Sequence, residues 1–295
     1  MSTLKKQFLS YLRLERGCSP LTIKAYGEDI DAFMSYLNKT DAHLSLASAD
    51  KDVIRDWMEE MMDKGNTASS IGRRLSALRS LYRYCLSHGV MDSDPTYGLR
   101  APKCDKPLPS FVRERDMRDL LDRCEWGDSF KDVRARTIIE MLYETGMRSA
   151  ELLSLDDDSV DFAASEVKVT GKGSKQRIIP FGDRLVGQLK AYVKCRDANV
   201  ARCTSATFVT MKGERMSYDQ LRYVVRTCLG RVCSMSNRSP HVLRHTFATA
   251  MLNHDAGIES VKKLLGHESL KTTEAYTHVT FEKLKKEYKS AHPRA

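Results

Sequence analysis

The chain has 295 residues, with 48 Lys and Arg against 39 Asp and Glu, a formal net charge of +9 and a pI near 9.1. A hydrophobic content of 41% and a charged content of 29% suit an ordinary globular protein with room for two cores, and exclude fibrous and disordered classes. The positive balance favours a polyanionic partner.

In chain order, the first expected element is a helix near Leu4 to Leu14. Ser19-Pro20 then reads as a helix start, with Ser as cap and Pro in the first position, where its missing N–H costs nothing. Ile23, Tyr26, Ile30, Phe33 and Leu37 follow at helical spacing. A third helix carries Val53, Ile54, Trp57, Met58 and Met61 and stops at Gly65. Thr67 opens a fourth, with Ile71, Leu75, Leu78, Leu81, Tyr82 and Cys85 inward and Arg73, Arg74, Arg79 and Arg83 on the other face. No acid occurs from Lys64 to Met91, so this face is expected to contact phosphates. These elements predict a helical bundle over residues 1–100.

Residues 101–110 contain Pro102, Pro107 and Pro109 and read as an extended linker. A second domain, 111–295, is expected to begin with helices near Glu114 to Cys124 and Arg134 to Tyr143. Glu166 to Thr170 and Gln176 to Pro180 flank Gly171-Lys172-Gly173-Ser174-Lys175 as a β-hairpin. The remainder is expected to be helical to the tail. From Gln220 to His254 there is again no acid, which marks Arg222 and Arg226, with Lys175 on the hairpin, as further candidates for phosphate contacts. The expected fold class is therefore mainly α, a helical bundle plus an α+β domain with a small antiparallel sheet.

The eight cysteines are scattered without a CxxC pair, which suits reduced thiols and neither a disulfide framework nor a zinc site. The first residues lack an apolar signal segment and no run reaches a membrane span, so the expected location is the cytoplasm, with no membrane partner.

The residues that carry chemistry stand in the second domain. Arg148 follows Thr145-Gly146-Met147, where a basic group at a helix start opposes the helix dipole unless an anion is near. Lys172 lies between two glycines, and His241 and Arg244 are three apart on a helix. His267 and Tyr276 follow. Two arginines, two histidines, a lysine and a tyrosine are what phosphoryl transfer uses without a metal. Arginine forks hold non-bridging oxygens, imidazoles and the lysine move protons, and the tyrosine attacks. His241 and His245 also make an H-x3-H pair, but no acid or thiolate accompanies it, so no metal or other cofactor is expected.

The order Arg148, Lys172, His241, Arg244, His267, Tyr276 resembles the tyrosine recombinases, or phage integrases. The surrounding words "LYETGMRSAELLSL", "VTGKGSKQRIIP", "SPHVLRHTFATAML" and "VKKLLGHESLKTTEAYTHV" resemble them too. The opening "YLRLERGCSPLTIKAYGEDI" and the closing "HPRA" narrow the resemblance to the Xer branch. It implies a SAM-like core-binding bundle and a catalytic domain of the DNA breaking-rejoining fold, clamped on double-stranded DNA. It further implies Tyr276 as nucleophile forming a 3′-phosphotyrosyl bond, and Lys172 as general acid. Strand exchange would proceed through a Holliday junction in a homo- or hetero-tetramer with a related recombinase, gated in some cases by an activator protein. Chromosome dimer resolution, and so chromosome partition at cell division, or service to a mobile element would be the role.

Some alternatives stay open in the sequence. Lys175 rivals Lys172, and Tyr288 rivals Tyr276 by location. His245 is expected to support the site or the core. Glu144 stands where its charge could compete with phosphate, and Ala150 replaces a hydroxyl residue common in the family. Phe281, Leu284 and Tyr288 form a helical stripe for a neighbouring protomer or for the chain's own domain. A type IB topoisomerase-like relaxing enzyme shares the chemistry, and a non-catalytic DNA-binding partner would have lost one of the six groups.

Overall fold

The structure, a computed structural model, describes residues 3–103, 110–171, 175–266 and 281–294, with backbone alone for 281–283. It divides into two compact units, Met1–Pro107 and Leu108–Ala295. No helix among the described residues is long and apolar enough to cross a membrane.

The first unit holds α1 (Thr3–Leu14), α2 (Pro20–Thr40), α3 (Lys51–Asp63) and α4 (Ala68–Ser87). Three starts are capped by side chains. Ser19 accepts from the Thr22 N–H at 3.2 Å, Asp50 from Val53 at 2.9 Å and Thr67 from Ser70 at 3.2 Å. Each helix turns one apolar stripe inward, and Phe8, Ile30, Phe33, Ile71, Leu78 and Leu81 are fully buried where they meet. Tyr82 is buried with them and donates its hydroxyl to Leu46 O at 3.0 Å.

The second unit opens with α5 (Glu114–Arg118), which runs into a π turn at Asp119–Arg123. Then come α6 (Phe130–Thr145) and α7 (Ser149–Leu153), followed by a sheet of β1 (Val160–Asp161), β2 (Glu166–Thr170) and β3 (Gln176–Pro180). The sheet is antiparallel in the order β1-β2-β3, with Val167 opposite Ile179 and Val169 opposite Arg177. Val167, Val169 and Ile179 are buried, and the strand period of two places Arg177 on their side. β1 is too short to be read from sequence. The chain continues through α8 (Asp183–Asn199), α9 (Tyr218–Leu229), α10 (Pro240–Asn253), α11 (Ile258–Leu265) and α12 (Phe281–Ala291).

Helix α6 is the axis of this unit. Every residue from Thr137 to Thr145 is buried, and α8, α9 and α10 pack around it. The expectation of helix from there to the tail needs correction between α8 and α9. Residues 200–217 run irregularly, with isolated bridges Asp156↔Ala206 and Val209↔Arg215, and they insert Ala206, Phe208 and Val209 into the core. Arg196, 1% exposed, anchors this segment by a fork on Asp157 (2.7 and 3.0 Å) and a bond to Thr207 O (2.9 Å).

The tail is tied to α6. Helix α12 packs on α10 and α11 of its own unit, and Tyr288 and Ala291 join that core. His292 lies among the rings of Tyr143, Phe247 and Tyr288, at 5.2, 5.5 and 5.2 Å, and burial lowers its pKa to about 3, so it is neutral. Arg294 bonds Asp122 at 2.9 Å and Glu140 at 2.6 Å.

Candidate functional site

Arg148 and Arg244 are brought together by one tight turn and one helix end. Helix α6 stops because Gly146 is left-handed, with φ +58°. A Cβ there would lie 2.4 Å from Phe247 Cδ1 and 3.0 Å from Leu265 Cδ2. The turn delivers Arg148 as the N-cap residue of α7. Helix α10 starts at Pro240 after Ser239 and carries Arg244 inward, 8% exposed, where Nη1 donates to Gly146 O at 2.7 Å and Nη2 to Leu265 O at 2.6 Å.

Helix α11 ends at a second left-handed glycine, Gly266, with φ +64°. Its last carbonyls have no intrahelical donors and carry the negative end of the helix dipole. Three successive ones each take a different arginine. Leu264 O accepts from Arg177 Nε at 2.8 Å, Leu265 O from Arg244, and Gly266 O from Arg148 Nη2 at 3.0 Å.

Glu151 completes the cluster. It accepts the Arg148 N–H at 2.7 Å and Arg148 Nη1 at 2.9 Å, and Arg177 grips both its oxygens at 2.7 and 2.9 Å. Burial alone would raise this carboxyl, 3% exposed, but the hydrogen bonds from Arg177 and Arg148 outweigh burial and hold it below its ordinary value. Arg244 is pulled down to about 10 by burial first and by the neighbouring Arg148 and then Arg177, and it stays charged at neutral pH. Among the described residues three guanidiniums stand against one carboxylate, an excess of two positive charges in the cluster. The Arg148 side chain remains 37% exposed there. That is an anion site by charge and by the number of donors still available.

Glu151 and Arg177 do not stand out in the sequence as members of the site. A Glu three residues after a helix-opening residue is the capping-box position, and that signal is available for Glu151. Alternation in β3 places Arg177 beside Ile179, but nothing in the sequence says what faces it.

Of the remaining candidates, His241 is solvent-exposed in the first turn of α10, one turn before the buried Arg244. Lys172, His267 and Tyr276 lie outside the described residues. Gly171 donates its N–H to Lys175 O at 2.7 Å, and Lys175 is exposed. Arg222 and Arg226 are exposed on α9, flanking Tyr223, itself 70% exposed.

Four expectations change. His245 is exposed and does not join the core, because one residue beyond the inward-facing Arg244 lies about 100° around the helix. Tyr288 is 1% exposed and burial pushes its hydroxyl well above its ordinary range, so it is no rival nucleophile. Glu144 does not compete with phosphate. It is fully buried, accepts from the Gly182 N–H at 3.3 Å and faces Arg294, and burial raises it to about 8. The α4 arginines do not form one free face. Arg73 pairs with the buried Asp29, Arg74 also approaches Asp29 at 3.8 Å, and Arg79 donates to Leu99 O, while Arg83 is exposed. Asp29 belongs to α2, so the acid-free run in α4 is answered by an acid from another helix. Among the described residues no group of three or more His, Cys, Asp or Glu could hold a metal.

The phage integrase family model matches residues 110–283, and the phage integrase N-terminal SAM-like domain model matches residues 6–89. The chain is 36% identical to the tyrosine recombinase XerC of Pelotomaculum thermopropionicum over 298 residues, covering 98% of this chain and 97% of that one. It is also 36% identical to the protein of that name from Staphylococcus saprophyticus, covering 100% and 99%. Among solved structures, the XerH site-specific recombinase bound to difH substrate in a pre-cleavage complex is similar at a TM-score of 0.70 and 22% identity, over 96% of this chain and 83% of that one. That last likeness speaks to the fold, and a lambda integrase dimer bound to a core site gives the same fold at a TM-score of 0.67 and 16% identity, over 94% of this chain and 98% of that one. The cluster of arginines at the end of α11 thus sits in a fold shared with DNA-bound recombinases, and the chain belongs to the phage integrase family of tyrosine recombinases, in its Xer branch.

Proposed function

We propose that this protein is a site-specific recombinase that cuts and rejoins double-stranded DNA through a 3′-phosphotyrosyl intermediate. The observation that carries the reading is the anion site, where Arg148 and Arg244 converge and the described residues leave an excess of two positive charges. A scissile phosphodiester bears one negative charge, and its pentacoordinate transition state bears two. The site therefore matches the transition state better than the ground state, as catalysis requires. Arg148 and Arg244 would hold the non-bridging oxygens. His241 and His267 would move protons at those oxygens and at the attacking phenol. Tyr276 would attack phosphorus while Lys172 protonates the departing 5′-oxygen. The phosphotyrosyl bond conserves the energy of the broken phosphodiester, so the 5′-hydroxyl of another strand can religate without ATP.

The 1–100 bundle and the 111–295 domain, joined by the 101–110 linker, would both contact the duplex. Arg83, Lys175, Arg222 and Arg226 would supply phosphate contacts, with smaller shares from Arg73, Arg74 and Arg79. A tetramer, homomeric or shared with a related recombinase and gated by an activator, would exchange strands through a Holliday junction. Chromosome dimer resolution is the role that the full-length likeness to the XerC proteins supports.

The test is a nicked suicide substrate, on which cleavage traps the covalent adduct. Tyr276→Phe removes only the nucleophilic oxygen and should bind DNA normally without forming adduct. Lys172→Ala should slow cleavage by about 10²–10⁴-fold, and a 5′-bridging phosphorothiolate, whose thiolate leaves without a proton, should restore it. An adduct formed by the Phe variant refutes the nucleophile. Failure of the sulfur substrate to restore Lys172→Ala refutes the general acid.

A further inference from the structure

Arg177 is the member of the arginine cluster with no part in the scheme above. It is 16% exposed and commits Nε, Nη1 and Nη2 to internal acceptors, so it has little to offer a phosphate directly. Its surroundings are nonetheless shaped to it. A Cβ on Gly266 would lie 3.2–3.3 Å from three guanidinium atoms, closer than ordinary van der Waals contact, so the end of α11 sits directly against the Arg177 guanidinium. The guanidinium ties three separated elements together: β3, which carries it, the Glu151 carboxylate of α7, and the last turn of α11 through Leu264 O.

The electrostatic consequence bears on Arg148. Glu151 has one negative charge, and both Arg148 and Arg177 bond to it. Arg177 takes it bidentately from a more buried position than Arg148, whose side chain is 37% exposed. With Arg177 present, the carboxylate is already neutralised and Arg148 retains charge for an incoming anion. Without it, Glu151 and Arg148 would form an isolated ion pair, the local excess would fall from two charges to one, and the Arg148 fork would be drawn toward the carboxylate.

We propose that Arg177 is a positioning residue that keeps Arg148 available to the scissile phosphate by neutralising Glu151 and fixing the α11 end beside it. The inference rests on the phosphate-binding role of Arg148 proposed above. It predicts that Arg177→Ala binds DNA with unchanged affinity but cleaves the suicide substrate about 100-fold more slowly at saturating protein, the cost of a misplaced group near the chemistry.

Adding Glu151→Gln provides the decisive arm. Glutamine still accepts the Arg148 N–H but carries no charge to capture the guanidinium, so Arg177→Ala with Glu151→Gln should recover about tenfold over Arg177→Ala alone, a difference of about 1.4 kcal/mol. A merely structural role predicts further loss in the double variant. Arg177→Lys keeps a positive charge beside Glu151 without the fork. It carries the test if the alanine variant does not fold: slower than wild type, and again improved by Glu151→Gln. Cleavage by Arg177→Ala at the wild-type rate, or no recovery on removing the Glu151 charge, overturns the proposal. Absence of adduct with the wild-type protein would instead overturn the function on which it rests.

Discussion

Replacing Gly146 with alanine should destabilise the second unit by an amount that the structure allows to be worked out. The residue ends α6 at φ +58°, in the left-handed region, where a Cβ costs about 1–2 kcal/mol. The methyl would also meet Phe247 Cδ1 at 2.4 Å and Cγ at 2.7 Å, and Leu265 Cδ2 at 3.0 Å. Phe247 is fully buried and stacked on His292, so its ring cannot retreat without disturbing the packed tail. Overpacking of this kind typically costs about 1–3 kcal/mol, giving a total of about 2–5 kcal/mol. For a domain of this size that is a fall in melting temperature of roughly 4–20 °C. Gly187 is the control. It lies exposed within α8, and a methyl group there would have nothing within 4 Å, so alanine should stabilise by about 0.5–1 kcal/mol through helix propensity. Trp57 and Trp126 fall in different units, so in a Trp57→Phe background Trp126 fluorescence follows the second unit alone. A Gly146→Ala protein melting with the wild type, or a Gly187→Ala protein melting below it, would refute the reasoning.

Glu144 should make stability fall as pH rises. Its carboxyl is raised from 4.5 to about 8, so between those values the folded state holds a proton that the unfolded state has released. The contribution is complete below the ordinary carboxylate value and is lost by about 1.4 kcal/mol per pH unit up to the folded value. Glu144→Gln cannot titrate, so urea midpoints should shift in favour of the glutamine variant between pH 5 and pH 8; a constant gap would contradict this. In the first unit, Arg73→Ala leaves the buried Asp29, among the described residues, with Arg74 at 3.8 Å and should cost about 1–3 kcal/mol. Arg83→Ala should change stability by less than about 0.5 kcal/mol and reduce the slope of log affinity against log salt by about 0.9. If Arg73→Ala alters the salt slope and leaves stability intact, the Asp29 pairing is not what holds that side chain.

The sequence by itself determined the parts that depend on near neighbours. Caps at Ser19, Asp50 and Thr67 act within three residues, hydrophobic periodicity sets the stripes of α2 to α4, and glycines at 146 and 266 end helices because glycine adopts their left-handed backbone at the least cost. The linear order of Arg148, Lys172, His241, Arg244, His267 and Tyr276 was equally legible, since a chain carries its motifs in order whatever its shape.

Only the tertiary structure decided which charges meet. Arg73 looked free because α4 holds no acid, yet Asp29 lies 44 residues earlier and packs against it. Glu144 looked close to Arg148 in sequence, yet α6 is buried on all sides, so its period marks no single inner face, and the carboxyl points to the tail. Arg148, Arg177 and Arg244 come from a helix start, a strand and a helix interior. They converge because the last carbonyls of α11 need donors that the helix cannot supply. Backbone propensity and side-chain period are local quantities. The pairing of a buried charge is settled by whichever element packing brings within hydrogen-bond reach.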